Sequence, residues 1–175
     1  MTFSLKKCLR KVLSLNINLA LKSTMIKYEK KNLSKKKLIE LYKGMLLPRM
    51  IEEKMLSLLR QGVISKWFAG IGQEAIATGV THALKPEEYI LPMHRNLGVF
   101  TNRDIPLHHL FKQWQGKKGG FTNGRDRSFH FGTNEHHIVG MISHLGAQMA
   151  VGSGIALGNM LGKEKKVTVA FTGEG

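Results

Sequence analysis

Two short segments carry residue types suited to holding a charged phosphate group. The first is Thr172-Gly173-Glu174-Gly175, directly after the apolar, β-branched run Val167-Thr168-Val169-Ala170-Phe171. Glycines on both sides of the acid permit a tight turn whose N–H groups can approach phosphate oxygens. The Glu174 carboxylate is a hard oxygen ligand for a divalent cation bridging a diphosphate. An ordinary turn with a solvated glutamate would read the same way. The second segment is Pro92-Met93-His94-Arg95-Asn96, after the short apolar run Tyr89-Ile90-Leu91. The planar guanidinium of Arg95 suits two phosphate oxygens at once, and a surface ion pair would use it equally. His94 reads as a hydrogen-bonding loop residue. His108, His109, His136 and His137 come in pairs but lack the carboxylate spacing of a metal motif. No residue is assigned a proton-transfer role.

The elements that must position these segments follow from periodicity. After Ser34, a plausible N-cap, Leu38, Leu41, Tyr42, Met45, Ile51, Met55, Leu58 and Leu59 recur at helical spacing up to Gly62. Pro48 inside this pattern predicts two helices or one kinked helix. A second helix is expected over Gln73–Leu84, a strand at Tyr89–Leu91, and a helix from Pro106 to Gln115 closed by Gly116. Lys117–Gly140 has no clean period and reads as a long loop, a kind of segment that is often functional. Leu145–Leu161 is predicted helical, with Gly146, Ala150, Gly154 and Gly158 on one face. That face either packs tightly inside the domain or meets another subunit. Val167–Phe171 is read as a buried strand of the parallel type. Helix, turn, strand and Gly-rich loop in this order indicate an α/β protein.

The formal net charge of +15 is unevenly placed. Residues 1–37 hold eleven Lys/Arg and one acid, a net of +10, which leaves +5 for residues 38–175. The basic arm reads as an acidic-partner or nucleic-acid tail, a presequence, or an overlong start before Met25. No groove-reading motif accompanies it. Cys8 is the single cysteine, so no disulfide forms within the chain. His136–Gly162 has no charged residue, but its polar side chains and glycines suit a loop and buried helix better than a membrane span.

Taken in order, Leu41–Glu53, Gly72-Gln73-Glu74-Ala75, His94-Arg95-Asn96 and Arg103-Asp104-Ile105-Pro106-Leu107 resemble the thiamine-diphosphate-binding α chain of 2-oxo acid dehydrogenases. Gly116–Gly120, His130, Ile142–Gln148 and Phe171–Gly175 continue the series. The resemblance runs from about Leu38 to Gly175 and excludes residues 1–32. It implies a thiamine diphosphate-binding α/β fold, a parallel sheet flanked by helices, with residues 33–175 as its N-terminal part, truncated after an early strand. It implies decarboxylation of a 2-oxo acid and transfer of the acyl group to a lipoyl acyltransferase. A β chain, separate or fused, is the expected partner in a heterotetramer-like assembly.

The resemblance also assigns residues. Glu174 would bind Mg2+, with Gly173 and Gly175 in the same turn. His94 and Arg95 take the place of the family's Tyr-Arg pair near the diphosphate, and Ser143 and Leu145 map to the aminopyrimidine surroundings. The substitution of His94 for Tyr makes the hydrogen bond there sensitive to pH. Glu174 in place of Asp, and Arg103–Leu107, are similar to the branched-chain subfamily. Phe68 stands where pyruvate-type members carry a His. The family's further metal ligands and loop His would lie beyond Gly175, so this chain alone is expected to be inactive. The alternative is a catalytically incompetent fragment or pseudo-subunit that only binds a β chain. The expected location is the bacterial cytoplasm, or the mitochondrial matrix if residues 1–24 are a presequence.

If the charge excess is a removable arm, a chain starting at Met25 will show no tight, salt-sensitive DNA binding in a titration at low ionic strength. Tight binding that weakens steeply with salt would instead assign the protein to nucleic-acid recognition.

Overall fold

The longest element is helix α1, Lys35–Arg60, 26 residues in a computed structural model that describes residues 29–126 and 129–173. Glu174, Gly175 and almost all of the basic arm lie outside the described residues. Pro48 does not divide α1 in two. It is buried together with Ile51, Glu52 and Met55 on one face, and that packing offsets the backbone hydrogen bond a proline cannot make. The helix stops where the sequence indicates. Gly62 takes φ 71°, its N–H reaches Leu59 O at 3.0 Å, and the Val63 N–H reaches Leu58 O at 3.0 Å. This paired closure needs a left-handed residue, which glycine adopts at little cost.

Helix α2 spans Glu74–Ala83 and helix α3 spans Leu97–Thr101. The five-residue α3 was not anticipated, because so short a segment shows no period. Both pack on α1 through close backbone contacts. Thr78 Oγ1 donates to Gly44 O at 3.1 Å, and Asn102 Nδ2 donates to Gly44 O at 3.2 Å and to Gly98 O at 2.6 Å. A Cβ at Gly44 would lie 2.4 Å from Asn102 Oδ1, so no larger residue fits that junction.

Helix α4, Leu107–Trp114, begins directly after Pro106. Its Trp114 enters an aromatic core, with ring centroids 5.1 Å from Trp67 and 5.6 Å from Phe129. Phe100 and Phe131 extend this cluster at 5.2 Å, and Phe121 stacks on Phe131 at 4.3 Å. The segment read as a long loop is mostly turns. One part is more ordered: Ile138 bridges Ile90 and Thr133.

Strands β1, Tyr89–Leu91, and β2, Thr168–Ala170, pair in parallel in the register Tyr89↔Thr168, Ile90↔Val169, Leu91↔Ala170. Their starting ends are tied by Glu88. It accepts the Lys85 N–H at 2.8 Å and the Val167 N–H at 3.2 Å. Those donors, the Lys85 N–H first, hold the Glu88 carboxyl below its ordinary pKa. Arg103 clamps the same turn by donating to Pro86 O and, at 3.0 Å, to Glu88 O. This gives the Arg103–Leu107 segment a structural duty at the entry to β1. β1 is flanked on both sides, by β2 and by the Ile138 segment. β2 is only half-buried along its length, and Val167 just before it is 50% exposed. The expectation of a buried strand is corrected: among the described residues β2 has a single strand neighbour and is an edge.

Helix α5 spans Ala147–Leu161 and lies against β2. Its start is later than predicted, because Gly146 adopts φ 86° and ends the preceding loop. The close approach to the sheet occurs at Gly152, where a Cβ would meet Ala170 Cβ at 3.4 Å, Leu91 Cδ1 at 3.7 Å and Thr168 Cγ2 at 3.8 Å. The Gly146–Gly158 face points the other way: Ala150 is exposed, and a Cβ at Gly154 or Gly158 would meet nothing within 4 Å. Packing of that face inside the described part of the domain is therefore ruled out. Among the described residues, no helix is long and apolar enough to cross a membrane.

These two kinds of glycine predict opposite mutational signs. Gly154→Ala should raise stability by about 0.5–1 kcal/mol, since helix propensity is gained with no clash. Gly152→Val should lower it by about 1–3 kcal/mol through overpacking against β2. Thermal or denaturant unfolding of the two variants checks both signs.

Candidate functional site

A parallel sheet places its ligand site beyond the carboxyl ends of its strands. Here β1 leads into Met93-His94-Arg95 and β2 into Phe171-Thr172-Gly173. The two exits meet: a Cβ built on Gly173 lies 4.0 Å from Met93 Cε. Asn96 shapes the first exit by accepting the Met93 N–H on Oδ1 at 2.9 Å.

A third wall comes from the segment after α1, and it is held by a buried carboxylate. Glu52 is 2% exposed. Its Oε2 accepts the Trp67 indole N–H at 2.6 Å and its Oε1 accepts the Gly70 N–H at 3.0 Å. Burial raises the Glu52 pKa, these two donors pull it down, and the net shift is upward. Gly70 then lies hard against the first exit, since a Cβ there would fall 2.1 Å from Arg95 O. The neighbouring Gly72-Gln73-Glu74 turn is fixed by Glu74, which accepts the Gly72 N–H on both oxygens, at 3.1 and 3.0 Å, and Arg49 Nε at 2.7 Å.

Within these walls the rings make edge contacts in a row. Phe68 meets His94 at 4.7 Å and His94 meets His130 at 5.0 Å. Lys66 Nζ sits 4.8 Å from the Phe68 ring centroid, a cation–π distance. His130 Nε2 is 2.9 Å from Ser143 Oγ, and its Nδ1 is 3.4 Å from Asp126 Oδ2. Burial first, then the neighbouring His130, Lys66 and Arg95, holds the His94 pKa below its ordinary value, which favours the neutral ring. A cavity of about 540 Å³, with Val63, Lys66, Phe68, His94, Asp126 and His130 in its lining, opens beside this row.

The structure thus brings His94 and Ser143 together through His130. Arg95 is adjacent, with its side chain exposed. Leu145, 67% exposed, lies just ahead of α5, and Gly173 sits at the second exit. Among the described residues no group of three or more His, Cys, Asp or Glu could hold a metal. Glu174 lies outside them. The paired histidines form no ligand set either: His108 and His109 are exposed neighbours 4.2 Å apart, and His137 packs on Tyr89 at 5.3 Å. Sequence reasoning missed the role of Glu52, although a signal existed. It falls on the same helical face as Pro48, Ile51 and Met55, where an acid demands partners. Asp126 and Lys66 gave no such signal.

Removing the Glu52 carboxylate strands two donors. Glu52→Ala should cost about 2–6 kcal/mol, at about 1–3 kcal/mol per unsatisfied buried group, measured by denaturant unfolding. The pH dependence has a defined sign. A carboxyl whose folded pKa is raised binds its proton more tightly when folded, so its contribution weakens as pH climbs from the unfolded value toward the folded one. Glu52→Gln should remove that decline from the stability–pH curve.

Comparison with known proteins agrees with this geometry. The sequence profile of the family described as Dehydrogenase E1 component matches residues 42–175. The mitochondrial pyruvate dehydrogenase E1 component subunit alpha-1 of Arabidopsis thaliana is 32% identical over 144 residues, covering 81% of this chain and 37% of that protein. The mitochondrial 2-oxoisovalerate dehydrogenase subunit alpha of Homo sapiens is 30% identical over 147 residues, 84% of this chain and 33% of that protein. The pyruvate dehydrogenase E1 component subunit alpha of Rhizobium meliloti (strain 1021) is 31% identical over 143 residues, 81% of this chain and 41% of that protein. The chain spans about a third to two-fifths of the length of these relatives. The profile covers most of the chain, and the chain belongs to the dehydrogenase E1 component family, as the N-terminal part of an α subunit of a 2-oxo acid dehydrogenase.

Proposed function

We propose that this chain contributes the diphosphate side of a thiamine diphosphate site in a 2-oxo acid dehydrogenase. The observation that carries this reading is the meeting of the β1 and β2 exits at Met93 and Gly173. That junction brings the segment that continues into Arg95 to the β2 exit, which Glu174 follows in the sequence.

The residues present fit such a group. Helix α5 begins at Gly146 with no side-chain cap, which leaves its N-terminal dipole available to an anion. Gln148, fully buried, donates through Nε2 to Phe171 O, while its Oε1 is buried without a partner and calls for a donor or a cation. Thiamine diphosphate, when bound, supplies the electron sink for loss of CO2 from the 2-oxo acid. Arg95 then neutralises phosphate charge through its planar fork. Glu174 holds Mg2+, Gly173 and Gly175 let the backbone approach, and Ser143 and Leu145 border the aminopyrimidine. His94, neutral and braced between Phe68 and His130, takes the place of a phenol and offers an imidazole hydrogen bond in its stead. The acyl group goes on to a lipoyl acyltransferase, and a β chain completes the assembly.

A second reading, a chain that pairs with a β chain without catalysis, draws on the outward small-residue face of α5. Calorimetric titration of the 175-residue chain with thiamine diphosphate, with and without Mg2+ and a β-type chain, separates the two. Mg2+-dependent binding is expected, abolished by Glu174→Ala and weakened about tenfold by Arg95→Ala, as for one charge-assisted hydrogen bond. Binding indifferent to Mg2+ and to both substitutions would leave the non-catalytic pairing chain as the better reading.

A further inference from the structure

A chain of contacts runs from Asp126 through His130 to Ser143. A neutral imidazole has one protonated nitrogen and one bare nitrogen, and its neighbours decide which is which. The carboxylate of Asp126 lies 3.4 Å from Nδ1, within ion-pair reach, and favours the proton there. Nε2 is then bare and can only accept. Ser143 Oγ, 2.9 Å from Nε2, must therefore donate its proton to the ring. With that proton committed inward, the remaining lone pairs of the hydroxyl face outward, and Ser143 is exposed.

We propose that Asp126, His130 and Ser143 form a relay that fixes the Ser143 hydroxyl as an acceptor, so that the ligand atom placed against it is an N–H donor. In this arrangement His130 and Asp126 are positioning residues, and only Ser143 meets the ligand. The row of rings supports the same assignment. His94 packs its ring against that of His130 at 5.0 Å, and Phe68 braces His94 in turn at 4.7 Å, which restrains rotation of the His130 ring. The identity of the donor rests on the thiamine reading above, where it is the exocyclic amine of the aminopyrimidine. The polarity of the hydroxyl does not rest on it.

Two measurements on the 175-residue chain test the relay. The first is nitrogen-15 NMR of the His130 ring at a pH where it is neutral. The expected spectrum shows Nδ1 protonated and Nε2 bare, with Asp126→Ala shifting the ring toward the Nε2–H form. An Nε2–H ring in the unsubstituted chain overturns the proposal. The second compares calorimetric binding, in the presence of Mg2+, of thiamine diphosphate and oxythiamine diphosphate, in which an oxygen acceptor replaces the amine. The chain should favour the amine about tenfold, a typical worth for one lost hydrogen bond that leaves an unpaired group, and Ser143→Ala should bring the two within about twofold. A preference that survives Ser143→Ala overturns the proposal. Failure of both ligands to bind would refute the thiamine reading, while the NMR result would still decide the relay. Ser143 and Asp126 are surface residues, so the variants are expected to fold, which an unchanged thermal midpoint would confirm.

Discussion

A buried carboxylate inside a helix must be answered by donors, and in this protein the answer organises the site. Glu52 sits on the core face of α1 and collects the Trp67 indole and the Gly70 backbone. Those two bonds fold the segment after α1 back against its own helix. Trp67 is thereby delivered into the aromatic core, and Gly70 is pressed on the backbone of Arg95. The next residues along, Phe68 and Glu74, are placed as a consequence: one braces His94, the other closes the Gly72 turn and bonds Arg49. An apolar residue at position 52 would satisfy the core face of the helix, but it would leave nothing to hold this wall in place.

The second dependence is on backbone approach. Among the glycines where a Cβ would fall under 3.0 Å from a neighbour, those at 44, 70 and 98 meet a side-chain oxygen of Asn102, the Arg95 carbonyl and the Ala77 methyl, respectively. Each marks a crossing of two elements that bring the helices α1, α2 and α3 under the strand exits. At Gly70 the obstructing atom is backbone, so no side-chain rearrangement relieves it. The chain thus positions His94 and Arg95 by steric closeness on one side and by the Asn96 side chain on the other.

Much of this was legible in the sequence because it depends on local rules. Tyr89–Leu91 is a strand at its predicted residues, Gly62 and Gly116 close helices in left-handed conformations, and Pro106 opens one. The resemblance to 2-oxo acid dehydrogenase α chains is matched by the family to which the chain belongs. What was not legible depends on tertiary partners. Pro48 reads as a break or a kink, and only the tertiary packing of its buried face decides that the helix continues through it. Val167–Phe171 reads as a buried strand of the parallel type; the pairing is parallel, yet its far side has no strand among the described residues. Four small residues in register read as a contact face, but the glycine that meets the sheet is Gly152, outside that register. His94, Arg95 and Ser143 were candidates from motif order alone, whereas the Asp126–His130–Ser143 contacts join residues 13 and four positions apart through loop geometry that has no period.

The outward face of α5 bears on how the molecule behaves in bulk. Its 15 residues include no charged side chain, while the chain as a whole carries a formal +15. Like charge makes two such molecules repel, while this face is a neutral stripe that includes Met149, Leu157 and Met160, each more than two-fifths exposed. Added electrolyte weakens the repulsion and leaves the stripe unchanged. Contact between two such stripes is therefore favoured, not opposed, as salt is raised.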